Sequence, residues 1–149
     1  MMRQILFILL LLVLLVTGFT WYNSRPLQCD ANIFVRFPEG NVTAYVSYTL
    51  QNGKGIIGLN GHISPPKGAN ILFNRTLYVS YQRIGNHYVM TTDSVIKGFA
   101  DFSSDDVLRP FFPAFYLNVG VERQFEFTPY KGSWLVSRSG VPSMYCMAE

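Results

Sequence analysis

The chain has 149 residues, with 12 lysines and arginines against 9 aspartates and glutamates, two histidines, two cysteines and a formal net charge of +3. An apolar N-terminal run aside, that length holds one domain with a real core and excludes a second. The basic residues are scattered singly from Arg25 to Arg138 with acidic residues close by, which excludes a stripe that would track nucleic acid, and aromatics at 15 % against 14 % charged residues exclude a disordered chain.

From Ile5 to Val16 the sequence is unbroken apolar, and Thr17, Gly18, Phe19 and Thr20 carry it to Trp21 and Tyr22. Roughly 18 residues of helix span about 27 Å, the lower end of what crosses a bilayer core, and Trp21–Tyr22 fall where an interfacial aromatic belt sits. The pattern predicts a transmembrane anchor over 1–22. The alternative is a cleaved signal peptide, with Val16 and Gly18 as small residues before the cleavage point, although no Ala-x-Ala is present. Arg3 and Arg25 flank the run and give only a small charge bias, so the side of the membrane is argued from the cysteines.

Cys29 and Cys146 lie just after the apolar segment and just before the C-terminus. In an export compartment, one bond between them would clasp the ends of the domain, closing a loop of about 117 residues worth up to roughly 5 kcal/mol in the chain-entropy model. A free buried thiol pair is the plainer alternative, and redox or metal chemistry lacks the C-x-x-C spacing and nearby ligands it needs. Whether the run is kept as a single-pass anchor or cleaved, the domain that follows it is expected to be exported.

Residues 23–28, containing Arg25–Pro26, read as a polar spacer, and 29–149 as one β-rich domain. Ile33 to Phe37 is a short strand stopped by Pro38-Glu39-Gly40. Val42 to Leu50 alternates cleanly, with Val42, Ala44, Val46, Tyr48 and Leu50 on one face. Asn52–Gly53 is a tight-turn dipeptide, and Ile56 to Ile63 completes a hairpin with Ile57, Leu59 and Ile63 inward. Glycines 53, 55, 58 and 61 run through this hairpin, where close backbone approach or a bulge explains them better than phosphate binding. After the loop Ser64-Pro65-Pro66-Lys67-Gly68, Ile71 to Arg83 and His87 to Val95 form a second hairpin about Gly85–Asn86, with Ile71, Phe73, Leu77, Val79 and Tyr81 on one side.

The period of two disappears between Lys97 and Asn118. Ser103-Ser104-Asp105-Asp106 reads as a helix start, with a capping hydroxyl and acidic residues that suit the helix dipole, and Pro110 and Pro113 keep the helix short. Val121 to Thr128 and Ser133 to Ser139 make a last hairpin around Tyr130-Lys131-Gly132, and Val141 to Cys146 closes the chain as an extended segment. The expected fold is α+β, mainly β: an antiparallel sheet of about 6–8 strands built from hairpins, with one short helix, preceded by the N-terminal transmembrane helix.

No catalytic, cofactor or metal signature is present: no G-x-S-x-G, H-E-x-x-H, phosphate loop or G-x-G-x-x-G after a strand. His62 and His87, even with Asp93 and a serine, would form a triad only by accident, and Asp105–Asp106 suits a helix dipole better than acid–base work. No catalytic residue, cofactor or metal ligand is therefore expected. Asn41-Val42-Thr43 and Asn74-Arg75-Thr76 match the glycosylation sequon, which matters only in a eukaryotic secretory pathway. The most unusual stretch is Leu108 to Leu117, where Phe111, Phe112, Phe115 and Tyr116 accompany two prolines. Either these rings plug the open side of the sheet, or some remain exposed as a partner-binding patch.

With its anchor, the strand Gly58-Leu59-Asn60-Gly61-His62-Ile63, the Arg75-to-Val95 hairpin bearing Tyr81 and Gly85, and the Leu108-to-Gly120 segment with Phe112–Pro113 leading to Tyr145–Cys146, the chain resembles the FidL-like membrane proteins of enteric bacteria. The resemblance spans nearly the whole chain and rests on structural motifs. It implies an inner-membrane protein of unknown biochemical role, encoded in some members beside a ToxR-like transmembrane transcription regulator, with no active-site residues to carry over. Two functions follow as expectations. The first is a non-catalytic accessory protein whose periplasmic domain binds and stabilises such a regulator through Phe111, Phe112, Phe115 and Tyr116. The second is a periplasmic binding module for an apolar or envelope-derived ligand.

Overall fold

The computed structural model describes the backbone of residues 2–23 and 26–148, with side chains over 4–20 and 26–148. The N-terminal run is a helix, α1 (Met2–Asn23), whose side chains from Ile5 to Val16 are all exposed. Among the described residues no helix is long and apolar enough to cross a membrane. The expected spanning helix is thus not met within the described side chains, which cover about 26 Å of helix axis against a hydrocarbon core of about 30 Å. The side chains of Arg3, Trp21 and Tyr22, and the whole of Arg25, on which the belt and charge-bias readings rest, lie outside the described residues.

Eight strands follow: β1 (Leu27–Phe37), β2 (Gly40–Gln51), β3 (Lys54–Ser64), β4 (Ile71–Ile84), β5 (His87–Lys97), β6 (Glu122–Tyr130), β7 (Ser133–Arg138) and β8 (Val141–Ala148). Each pairs antiparallel with the next, and β1 pairs with β8, so the expected sheet closes into a barrel. Closure gives every strand an inside and an outside, and the alternating residues obey it. Val42, Ala44, Val46, Tyr48 and Leu50 of β2 and Ile57, Leu59 and Ile63 of β3 all point into the core. β1 begins earlier than its apolar stretch suggests, because Leu27, Cys29 and Ala31 alternate inward with the exposed Gln28 and the half-buried Asp30, and Leu27 lies opposite Leu50. Leu27 and Gln28 therefore belong to the first strand rather than to a spacer.

The Asn52–Gly53 turn has positive φ at both residues (51° and 77°), the backbone that a tight hairpin with the strands' own twist requires. At Gly61 the reason for glycine is proximity: a Cβ there would lie 2.1 Å from the Thr43 carbonyl oxygen and 2.9 Å from the Phe73 ring.

The barrel has two unlike ends. The proximal end, where the chain enters from α1 at Leu27, carries the short turns at Asn52–Gly53, Gly85–Asn86 and Lys131–Gly132. The distal end carries the longer connections, above all residues 98–121 between β5 and β6. The seam between β1 and β8 is unequal too. Among the described residues, register pairs hold it at Cys29 with Ala148 and Asp30 with Met147, against a ladder running the full length of β1 on its other side. Cys29 and Cys146 are disulfide-bonded at this proximal end, with their Cα atoms 5.3 Å apart. Beyond it the ladder stops. Continued in the same register, Ile33 would face Met144 and Val35 would face Pro142, but a register shift between Val136 and Ser137 and a proline in β8 turn that strand away.

Candidate functional site

The distal connection folds back into the barrel mouth. Ser104 caps helix α2 (Asp105–Leu108), its hydroxyl accepting from the Val107 amide, as the sequence leads one to expect. The Leu108 carbonyl then accepts from the Phe111 and Phe112 amides, and Pro113 opens a 3-10 turn, Ala114–Tyr116. The Thr92 hydroxyl donates to the Phe115 carbonyl at 2.7 Å and fixes this turn to β5.

The rings of this segment are the plug. Phe115 and Tyr116 are buried, Phe111 and Phe112 are half-buried, and none of the four is exposed. Phe111 meets Phe37 edge-on at 5.4 Å, Phe112 meets Phe73 at 5.0 Å, and Phe115 meets Phe125 at 5.3 Å. The hydroxyls of Tyr116 and Tyr48 are 3.1 Å apart in the buried centre. Burial pushes both phenols above their ordinary pKa, so both are neutral at physiological pH, although the positive charge of Arg123 pulls in the other direction.

A second latch holds the plug by charge. Arg75 of β4 points inward in line with Phe73 and Leu77, and its side chain is 1 % exposed. Its Nε donates to Asp101 at 3.1 Å, its other nitrogens reach Asp105 and the Ser103 carbonyl, and the Asp101 side chain is fully buried. Asp101 also accepts from the Asn74 amide at 3.1 Å and from the Ser103 amide at 2.9 Å. Burial raises its pKa, but the Ser103 hydroxyl, the two amides and Arg75 outweigh burial and hold it below the ordinary carboxylate value. Phe99 and Phe102, on the same loop, are almost fully exposed.

Under the plug and behind the open seam lies a cavity of about 180 Å³. Ile33, Val35 and Phe37 of β1 form one wall, Ser143 and Met144 of β8 the other, with Phe111, Phe112 and Tyr116 above. Its lining holds no histidine, cysteine or carboxylate. Arg123 of β6 and Arg138 of β7 are its two charged residues, and both also line an adjoining, more polar hollow of about 330 Å³ with Glu122 and Ser139.

The residues considered for catalysis are not brought together. His62 lies near the distal end opposite Thr43 and Leu72, whereas His87 lies at the proximal turn opposite Glu126. Asp93, the unpaired residue at an irregularity of the β4–β5 ladder, forms an exposed ion pair with Lys54 at 3.1 Å. Among the described residues no group of three or more histidines, cysteines and carboxylates could hold a metal ion. The residues that sequence reasoning passed over are Arg75 and Arg123. Both occupy inward positions of alternating strands, Arg123 in step with Phe125 and Phe127, and that parity was the available signal. In comparisons with known proteins, no family model and no curated protein matches the chain.

Proposed function

We propose that the protein is a membrane-tethered, non-catalytic binding module of the FidL-like kind, whose barrel holds a small apolar or envelope-derived ligand in the periplasm. The observation that carries this reading is the apolar cavity beneath the aromatic plug, reached through the seam where β1 and β8 part. Eight-stranded barrels are just wide enough to enclose one small ligand. A mostly apolar lining without histidine, cysteine or carboxylate, in which the Ser143 hydroxyl is spent on the Val136 carbonyl, suits binding rather than turnover. The tether is supported by α1, whose backbone helix runs 22 residues, about 33 Å. Leaving the side chains from Ile5 to Val16 in water would forgo on the order of 20 kcal/mol of apolar transfer free energy, so lipid is their natural cover. Membranes washed with carbonate should retain the protein; its release would refute the tether. Toluene, titrated against protein carrying labelled methionine methyls, should shift Met144 saturably and first. An unmoved Met144 methyl would refute the cavity as a ligand site.

A second reading is favoured by Phe99 and Phe102. These rings stand in solvent on a loop that the buried Arg75–Asp101 pair holds in place, as anchors for a partner would. On this reading the domain docks a ToxR-like transmembrane regulator through Phe99 and Phe102, and Phe111, Phe112, Phe115 and Tyr116 act from behind as the packed support. Replacing both exposed rings by alanine should lower co-extraction of that regulator at least tenfold with no change in melting temperature. Undiminished co-extraction would end this reading.

A further inference from the structure

Two arginines point into this barrel, and the chain treats them differently. Arg75 is met by two carboxylates and a carbonyl. Arg123 forms no ion pair among the described residues, and its Nε is buried without any hydrogen-bond partner. Its guanidinium lies over the rings of Tyr116 (5.8 Å) and Phe125 (5.4 Å). Stacking satisfies the faces of a guanidinium; the N–H groups lie in its plane and still require acceptors. A buried donor left unmade costs about 1–3 kcal/mol, more when it belongs to a charged group, so a site that keeps one gains when an acceptor arrives.

The position of Arg123 says what kind of acceptor. It stands with Arg138 on the boundary between the apolar cavity and the polar hollow outside it. Glu122, the carboxylate that lines the outer hollow, forms no ion pair with either arginine. The inner chamber has about the volume that takes one benzene-sized group. We infer that the site binds a small amphiphile with one oxyanion head, a carboxylate or phosphate monoester, its apolar end in the cavity and its head on Arg123, with Arg138 adding charge from the rim. The planar fork of Arg123 suits such a head better than a point charge would.

This inference rests on the reading of the barrel as a ligand-binding module, and the test separates the two. Full-length protein in lipid nanodiscs is titrated by calorimetry with 3-phenylpropionate, phenyl phosphate and the uncharged 3-phenylpropionamide. The acid should bind at least tenfold more tightly than its amide, and Arg123→Gln should bring the acid-to-amide ratio to near one. Arg138→Gln should reduce the preference by a smaller factor. Binding by phenyl phosphate in place of the carboxylate would identify a phosphate head and sustain the inference. Acid and amide binding equally well would overturn it and leave the apolar-cavity reading standing; no binding by any of the three, together with an unmoved Met144 methyl, would overturn both. Should Arg123→Gln fail to fold, the wild-type acid-to-amide ratio at low and at 0.5 M salt decides: a ratio that is near one at both refutes the oxyanion site.

Discussion

Asp101→Asn should destabilise the domain by about 3 kcal/mol, toward the lower end of what breaking a buried ion pair costs. The geometry leaves little room for a milder result. Each carboxylate oxygen of Asp101 accepts from two groups, one from Ser103 N–H and O–H, the other from Asn74 N–H and Arg75 Nε. An asparagine must turn its own N–H2 toward one of those donor pairs, so the variant loses a charge and gains a donor–donor clash. Arg75 keeps Asp105, which is partly exposed, and that holds the cost below the full value. Arg75→Met should cost less than Asp101→Asn, since Asp101 would retain three of its donors. Urea denaturation of the two variants measures the order, and the reverse order would show that the arginine rather than the carboxylate organises the latch.

The same carboxylate sets an acid limit. Its folded pKa lies below the ordinary 3.8, so its contribution is complete above that value and is lost as pH falls through the lower folded pKa. Loss of the latch should free the loop that bears Phe99 and Phe102 together with the plug. Protection of the Asn74 and Ser103 amides against hydrogen exchange should therefore be lost below pH 3.8 before that of the β2–β3 hairpin.

The hairpins were legible because alternation reports burial on one face, and in β2 through β5 little besides packing decides which residue points where. Barrel closure was not legible in that way. It depends on accumulated twist and on one short seam between β1 and β8, and no local pattern states it; the cysteine spacing was the only hint. β1 was shortened because Gln28, Asp30 and Asn32 make its first half look polar, although Leu27, Cys29 and Ala31 keep the period. The cavity escaped for a related reason. Arg75 and Arg123 sit at inward positions, and a reading that expects apolar residues there passes over a charge. For the aromatic segment, the composition of Leu108 to Leu117 allowed either a plug or a patch, and the choice turned on the Thr92–Phe115 and Tyr48–Tyr116 hydrogen bonds, whose partners lie far away in sequence. Phe99 and Phe102 gave no sign at all, because a lone phenylalanine in a polar loop is normally folded inward by contacts that a sequence does not display.

Replacing both cysteines by serine should lower stability by about 3–5 kcal/mol, the largest single loss expected in this domain. In the chain-entropy account, a crosslink over 117 residues removes close to the maximum freedom from the unfolded chain. The seam adds a native-state term. With Cys29–Ala148 and Asp30–Met147 the pairs between β1 and β8 among the described residues, the covalent bond is what keeps the proximal end shut while the distal half stays parted. Without it, β8 should fray from β1 first, and the cavity wall made by Ile33, Val35, Ser143 and Met144 should go with it. The double-serine variant should therefore lose ligand-induced shifts at the Met144 methyl at temperatures where the rest of the barrel is still folded. Thermal melts followed by circular dichroism and by the Met144 resonance report the two events separately. A seam lost well before the barrel is the expected result; coincident transitions at nearly the wild-type temperature would mean that barrel closure is carried by the other seven ladders, and that the disulfide serves only to tie down a terminus.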